Sequence, residues 1–387
     1  MLSLGDIAMK IASSIRAGLL AAAFVCVSGG VLASDDATVF MINPAHDGNI
    51  KLKHFGTRLK LAWSRELNAQ VSYPVIANGK VYVTTASIGN GGYGTTLYAL
   101  NLQTGDVLWT QPISGTYFIS SAVYDNGQIF VLNFDGLLRA FDSETGTPGL
   151  SVHLGDEYDD QVPPIAGGGT VYASEQAVYA IDEATGNQKW IQGYSWGGLP
   201  TLGGGNVFTP NGGWLYSTSA KTGLTKWHQT GVDGFTALYR GRVYATNGAV
   251  VNAKTGDDVS VTLPASSFPL AFWSNSTSDY RISIQNGQLS SIDAQTGETA
   301  WTFSGDADFV TSPIVINNSV VVGSSANTLF VVDAATGAKR WSGTVPAGIS
   351  ATGDYCCSGP WVAMAAGDGA LVVPGGDSLS VFVPAKH

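Results

Sequence analysis

The residues that could carry chemistry in this chain are few. Cys356 and Cys357 are adjacent, within Thr352-Gly353-Asp354-Tyr355-Cys356-Cys357-Ser358-Gly359-Pro360-Trp361. Neighbouring cysteines bridge only through a strained peptide, and such strain persists where the surroundings enforce it. The run Asp156-Glu157-Tyr158-Asp159-Asp160 offers hard oxygens to Ca²⁺, but it lacks the spacing and glycine of an EF-hand loop. It reads as a solvated acidic loop. The five histidines, His46, His54, His153, His228 and His387, share no metal-ligand spacing. There is no Gly-x-Ser-x-Gly elbow and no phosphate-cradling glycine loop, so nucleophilic catalysis has no candidate.

Composition narrows the classes further. Charged residues are 12% of the 387, against about 25% in an average soluble domain. With 49 Gly, ten Trp and 44% hydrophobic residues, the chain is turn-rich and aromatic-rich. A helical bundle wants Ala, Glu, Lys and Leu in a 3.6 period, and a disordered chain lacks this much apolar content. The net charge is −10 and no run of Lys or Arg exceeds two residues. Nucleic acid needs a positive footprint, and anionic membrane surfaces are disfavoured by the same sign. The acidic balance gives solubility.

Residues 1–33 read as a signal peptide. Lys10 and Arg16 make a positive n-region, Ala17 to Val27 an apolar stretch, and Val31-Leu32-Ala33 a small-residue cleavage site before Ser34. The expectation is an exported protein, periplasmic or secreted, with no transmembrane segment in its mature chain. Cys26 follows Phe24-Val25, a poor context for lipid attachment. Without it, Cys356 and Cys357 are the only thiols, which permits one bridge but no stapled framework.

These residues must be positioned by a repeat. LYALNLQTGDVLW, from Leu97 to Trp109, returns as LRAFDSETG, VYAIDEATGNQKW, LYSTSAKTGLTKW, VVNAKTG, LSSIDAQTGETAW and LFVVDAATGAKRW. The repeated glycines are Gly105, Gly146, Gly186, Gly223, Gly256, Gly297 and Gly337, spaced by 41, 40, 37, 33, 41 and 40. Each copy holds four short strands broken by turns, which is one propeller blade. Asp142, Asp182, Asp293 and Asp333 suit accepting backbone N–H groups across the turn, and the glycine suits a positive φ. Trp109, Trp190, Trp227, Trp301 and Trp341 are plates for packing between blades. The strand around Trp63 has no turn of its own, and Leu379 to Val383 ends where a turn would come. Together they complete one blade and close the ring. The fold is thus all-β, an eight-bladed propeller over residues 59–387 preceded by a lead-in over 34–58. Seven blades is the alternative, because the blade ending near Gly256 is short and has no Trp.

Loops opening onto one end of the ring are the natural binding surface. Inner strands open at Pro74, Ala122, Pro164, Pro200 and Pro313, and the last opens at Pro360. Four residues before each stand Gln70, Phe118, Asp160, Trp196 and Phe309, with Cys356 in the same register and Tyr355 and Cys357 beside it. An aromatic and acidic mouth suits a peptide or a sugar. Trp196, Trp214 and Trp273 read as exposed and suit a glycan.

The Asp-x-x-Thr-Gly-x-x-x-Trp repeat, and the lead-in Asn43-Pro44-Ala45-His46-Asp47-Gly48, resemble the pyrroloquinoline-quinone (PQQ)-like propeller family. The resemblance covers the chain from about Asn43 onward. It implies the fold, and two branches of function. Quinoprotein dehydrogenases carry PQQ with calcium over the central channel, and similar proteins set a vicinal disulfide against the quinone, a role the resemblance would give Cys356–Cys357. They are considerably longer, and their Asp base and Glu and Asn ligands find no match here. BamB-like scaffolds of outer-membrane protein assembly carry no cofactor and are similar in length. The expectation is a monomeric, non-catalytic scaffold, without cofactor, binding a protein or peptide in the cell envelope. A glycan-binding surface protein and a quinone-dependent dehydrogenase are the alternatives.

Overall fold

The computed structural model describes residues 35–86, 93–118, 120–155, 162–174, 177–193, 198–353 and 361–385. Among them every regular element is a strand, and no helix is long and apolar enough to cross a membrane. Residues 1–33 lie outside the described part.

The strands form eight sheets, the eight blades of the ring. The first holds Val75–Ala77, Lys80–Thr85, Thr95–Asn101 and Val107–Ile113, from the axis outward. The second, third and fourth repeat this order, beginning at Ser120, Ile165 and Thr201. The fifth holds only Thr236–Tyr239, Arg242–Ala245 and Val250–Asn252, and a single bridge, Val251 to Asp258, marks the place of a fourth strand. That is the copy whose sequence is short and has no Trp. The sixth and seventh begin at Ala271 and Ile314. The eighth takes Ala365–Gly367, Ala370–Gly375 and Ser378–Pro384 from the C-terminal end and Leu59–Glu66 from the N-terminal end. The ring is closed as the sequence implied, the strand from the N-terminal side completing the eighth blade.

Burial follows from this layering. Second strands such as Ser319–Gly323 are buried at every position because neighbouring blades cover both faces. Outer strands such as Lys339–Thr344 alternate between exposed and half-buried, since only one face is covered.

The turns between third and fourth strands lock blade to blade. Asp333 Oδ1 accepts the N–H groups of Ala335 (3.1 Å) and Thr336 (2.8 Å) and the Thr336 hydroxyl (2.7 Å). Asp142, Asp182 and Asp293 make the same turn, and Asn101 and Asn252 do so in the first and fifth blades. The glycine that follows has φ near +75° and lies under the Trp of the preceding blade. A Cβ on Gly337 would stand 2.8 Å from the Trp301 ring. Gly105, Gly146, Gly223 and Gly256 meet Trp63, Trp109, Trp190 and Trp227 in the same way. Trp63, Trp190 and Trp301 also donate their indole N–H to a carbonyl of that turn, each at 2.9 Å.

The lead-in runs once round the axis. Asp35 accepts from Asp368 of the eighth blade (2.7 Å), and Ala37 pairs in both directions with Ile76 of the first. Thr38 accepts from Tyr124 of the second, Pro44 from Leu202 of the fourth and Ala45 from Leu238 of the fifth. Asp47 accepts from Phe272 of the sixth, and Gly48 and Ile50 from Val315 and Asn317 of the seventh. Asn49–Ile50 adds a parallel strand to the axial edge of the seventh blade. The motif is its own turn: Asn43 Oδ1 accepts from Ala45, its Nδ2 donates to Asp47 (2.7 Å), and Asp47 accepts from Asn49. Gly48 (φ +58°) lies so close to Ala271 that a side chain would clash.

Gly127 has a similar φ of +79° with open space around it, so Gly127→Ala isolates the backbone penalty. Gly127→Ala should cost about 1–2 kcal/mol, and Gly337→Ala about 2–4 kcal/mol because the Trp301 plate must move as well. Urea titration of the two variants measures the difference; equal midpoints would show that the Trp–Gly contact is slack.

Candidate functional site

The ring has two unlike ends. At one lie the turns between first and second strands and the Asp/Asn–Thr–Gly turns, with the lead-in threaded at their level. At the other lie the segments joining each outer strand to the next blade's inner strand, together with the hairpins between second and third strands. This loop end is where the anticipated mouth residues fall.

Gln70, Phe118 and Phe309 are described; Asp160, Trp196, Tyr355, Cys356 and Cys357 lie outside the described residues. Gln70 is half-buried, and its carbonyl accepts from Ala86, tying the loop to the end of the second strand. Phe118 is half-buried and packs against Tyr93 with the rings tilted and their centroids 5.5 Å apart. Tyr93 is 63% exposed. Beside them Tyr117, partly open, stands edge-on to Phe134 at 4.5 Å. Phe309 is buried between Phe303 (6.0 Å) and Phe330 (5.9 Å), where the absence of a side chain at Gly305 makes room for it. Of the anticipated mouth residues that are described, Phe118 is the one set in an aromatic surface.

Two details differ from the sequence reading. The last inner strand begins at Ala365, which pairs with Val372 as Val75 pairs with Tyr82. Met364, not Pro360, thus corresponds to Pro74, and Cys356 stands four residues further upstream in the sequence than the common register. Trp273 is buried: its ring packs at 5.3 Å on Tyr280 and its N–H points to Asn318. Trp214 is 40% exposed, against His228 at 5.4 Å.

The axis itself is filled. Phe40 of the lead-in packs edge-on to Tyr73 of the first blade (5.5 Å) and to Trp361 of the eighth (5.2 Å). Trp361 also meets Phe235, at the head of the fifth blade, at 5.8 Å. Those two rings come from blades three apart, so their contact spans the axis. Neither periodicity nor a motif flagged this plug; the buried run Val39-Phe40-Met41-Ile42 was its only trace.

A cleft of about 420 Å³ opens between the sixth and seventh blades. It is lined by the Gln285–Gln288 hairpin and by Ser304 to Asp308. Its polarity is largely structural: Asp306 accepts the hydroxyls of Ser324 (2.7 Å) and Thr328 (2.6 Å), bonds that hold its carboxyl below the usual range. Among the described residues no three His, Cys, Asp or Glu side chains converge as a metal site.

The family described as outer membrane protein assembly factor BamB matches residues 27–176, 174–279 and 251–382. The chain belongs to this family. No curated protein sequence matches it. Among solved structures, BamB from Moraxella catarrhalis is similar with a TM-score of 0.63 at 16% identity, over 84% of this chain and all of that one. Quinohemoprotein alcohol dehydrogenase from Comamonas testosteroni gives 0.70 at 14%, over 91% of this chain and 81% of that one. A europium-containing methanol dehydrogenase gives 0.68 at 14%, over 90% and 98%. At such identities the likeness is one of fold.

His46 is the titratable group of the plug. It is buried beside Phe40, and loss of hydration pulls its pKa down to about 3 despite a contact with the Pro200 carbonyl. The unfolded chain, with an ordinary histidine, binds a proton between pH 3 and 6.5 that the fold does not. Stability therefore falls as pH drops through that window. His46→Leu should remove this dependence, making the loss of stability from pH 7 to pH 4 smaller by about 2–3 kcal/mol. Denaturant titrations at the two pH values measure it; identical losses in both proteins would mean that the ring is hydrated.

Proposed function

We propose that this chain is an exported, monomeric scaffold, periplasmic or secreted, that binds a protein partner in the cell envelope through its loop end. Membership of the BamB family supports a protein-interaction role. The observation that carries the choice of surface is the aromatic set made by Tyr93, just before the third strand of the first blade, with Tyr117 and Phe118, on the segment to the second blade, which polar contacts brace. Asn133 Nδ2 donates to the Ser114 carbonyl (2.8 Å), the Asp135 carboxylate accepts the Thr116 N–H (2.9 Å), and the hydroxyls of Thr95 and Ser120 meet beneath. A rigid aromatic patch loses little entropy on docking, which is how such residues become centres of binding energy. A filled axis supports a binding role over turnover, since it leaves the face rather than the interior to present residues.

A glycan reading draws on one feature, the exposed Trp214 ring set with His228 and Tyr216 on the fourth blade. Trp214→Ala would abolish it and leave the Tyr93, Tyr117 and Phe118 set untouched.

The test is site-specific photocrosslinking in cells. A crosslinker at Tyr93 or Tyr117 should capture an outer-membrane assembly component, and one at the exposed Leu224, on the turn end, should not. Tyr93→Ala with Phe118→Ala should weaken that capture by about 10- to 100-fold with an unchanged melting temperature. Capture from Leu224 alone, or none from the loop end, would overturn the proposal.

A further inference from the structure

Arg281 belongs to the second strand of the sixth blade, Asp279–Gln285, opposite Phe272 on one side and Ile292 on the other. Directly opposed residues share a face, so its side chain points with Phe272 and Ile292 toward the fifth blade. There Tyr244, Val250 and Leu263 complete an apolar wall. Arg281 is wholly buried. Its Nη2 donates to the Pro264 carbonyl at 2.6 Å, while Nε and Nη1 meet no acceptor.

No carboxylate among the described residues pairs with it. Asp279 is held by Arg240 at 2.9 Å, and Asp293 is committed to its own turn. Burial lowers the guanidinium pKa only to about 10, so the group stays charged at neutral pH. An isolated buried cation costs several kcal/mol, and two buried unmade donors add to that. The local chain follows from the short fifth blade. After the Val251–Asp258 bridge it runs as a strap rather than a strand, with Val259 bonded to Val250 and Ser266 to Thr246, and this carries Pro264 over the guanidinium.

We propose that Arg281 seats a small monovalent anion of halide size between the fifth and sixth blades. One positive charge with two free donors matches one negative charge. Complete enclosure by apolar walls and the strap excludes an organic carboxylate or a divalent oxyanion. This assignment is independent of the partner reading, because the site lies inside the ring.

Crystals soaked in bromide should show an anomalous peak within hydrogen-bond distance of Nε and Nη1. Replacing gluconate by chloride at constant ionic strength should raise the melting temperature by roughly 1–3 °C per tenfold chloride above its Kd. Arg281→Met, which keeps the stem and removes the charge, should melt independently of chloride. Ordered water alone at the guanidinium would overturn the proposal. So would the same chloride dependence in Arg281→Met, or a bromide peak with no halide effect on stability, which would mark an adventitious ion only. If Arg281→Met does not fold, the bromide and chloride results on the native chain decide the matter.

Discussion

Five junctions between neighbouring blades are held by an indole ring lying on a backbone where no side chain can stand. The Asp/Asn–Thr–Gly turn exists to present that bare backbone: the carboxylate or amide fixes the turn, the glycine accepts the positive φ, and the preceding blade's Trp covers it. Where the Trp is missing the glycine remains. Gly186 packs against Val152 and Leu150, and Gly297 against the Thr262 carbonyl. The flat approach of two blades is thus the conserved geometric need within this chain, and the ring is one way of filling it. At the closure Trp63 covers Gly105, so the strand from the N-terminal side enters the same series of contacts as the internal copies.

That constraint shapes what the molecule can present. Eight blades locked at their turn end leave an axial hole, and the lead-in fills it with one main-chain bond to nearly every blade and with Phe40 at the centre. Trp361 and Phe235 seal it above. The surface left for recognition is the loop end and the outer edges, where Tyr93 and Tyr117 are exposed beside the half-buried Phe118. The joint between the fifth and sixth blades differs from the others, because the fifth sheet has three strands. There Tyr239 and Tyr244 on Phe272, at 4.7 and 4.8 Å, take over the packing, and a lone guanidinium is enclosed.

Much of this was legible in the sequence because the repeat is a local device. Strand, turn, glycine and Trp follow within a dozen residues, and the missing Trp near Gly256 correctly marked the short blade. The closing role of the Trp63 strand was legible because it lacked a turn. The axial plug was not, since its bonds are made by main-chain atoms that carry no side-chain signature. Asn43-Pro44-Ala45-His46-Asp47-Gly48 could be recognised as a motif without revealing that it is a self-bonded turn aimed at the axis. The mouth was only partly readable. A position four before the inner strand fixes a loop, not the direction of its side chain, and so Phe118 faces outward while Phe309 is drawn in by the space at Gly305. Trp273 was read as exposed, yet its ring is buried and packs on Tyr280.

Native-state hydrogen exchange of the lead-in circuit tests the account most directly. The amides of Ala37, Ile76, Tyr124, Leu202, Leu238, Phe272 and Val315 all take part in the bonds between lead-in and blades. A lead-in that is the axis of the ring predicts that they exchange only through global unfolding, with one shared denaturant dependence. Exchange of these amides within minutes, while second-strand amides such as Val321 stay protected, would show that the lead-in is an appendage and that the axis is open to ligands.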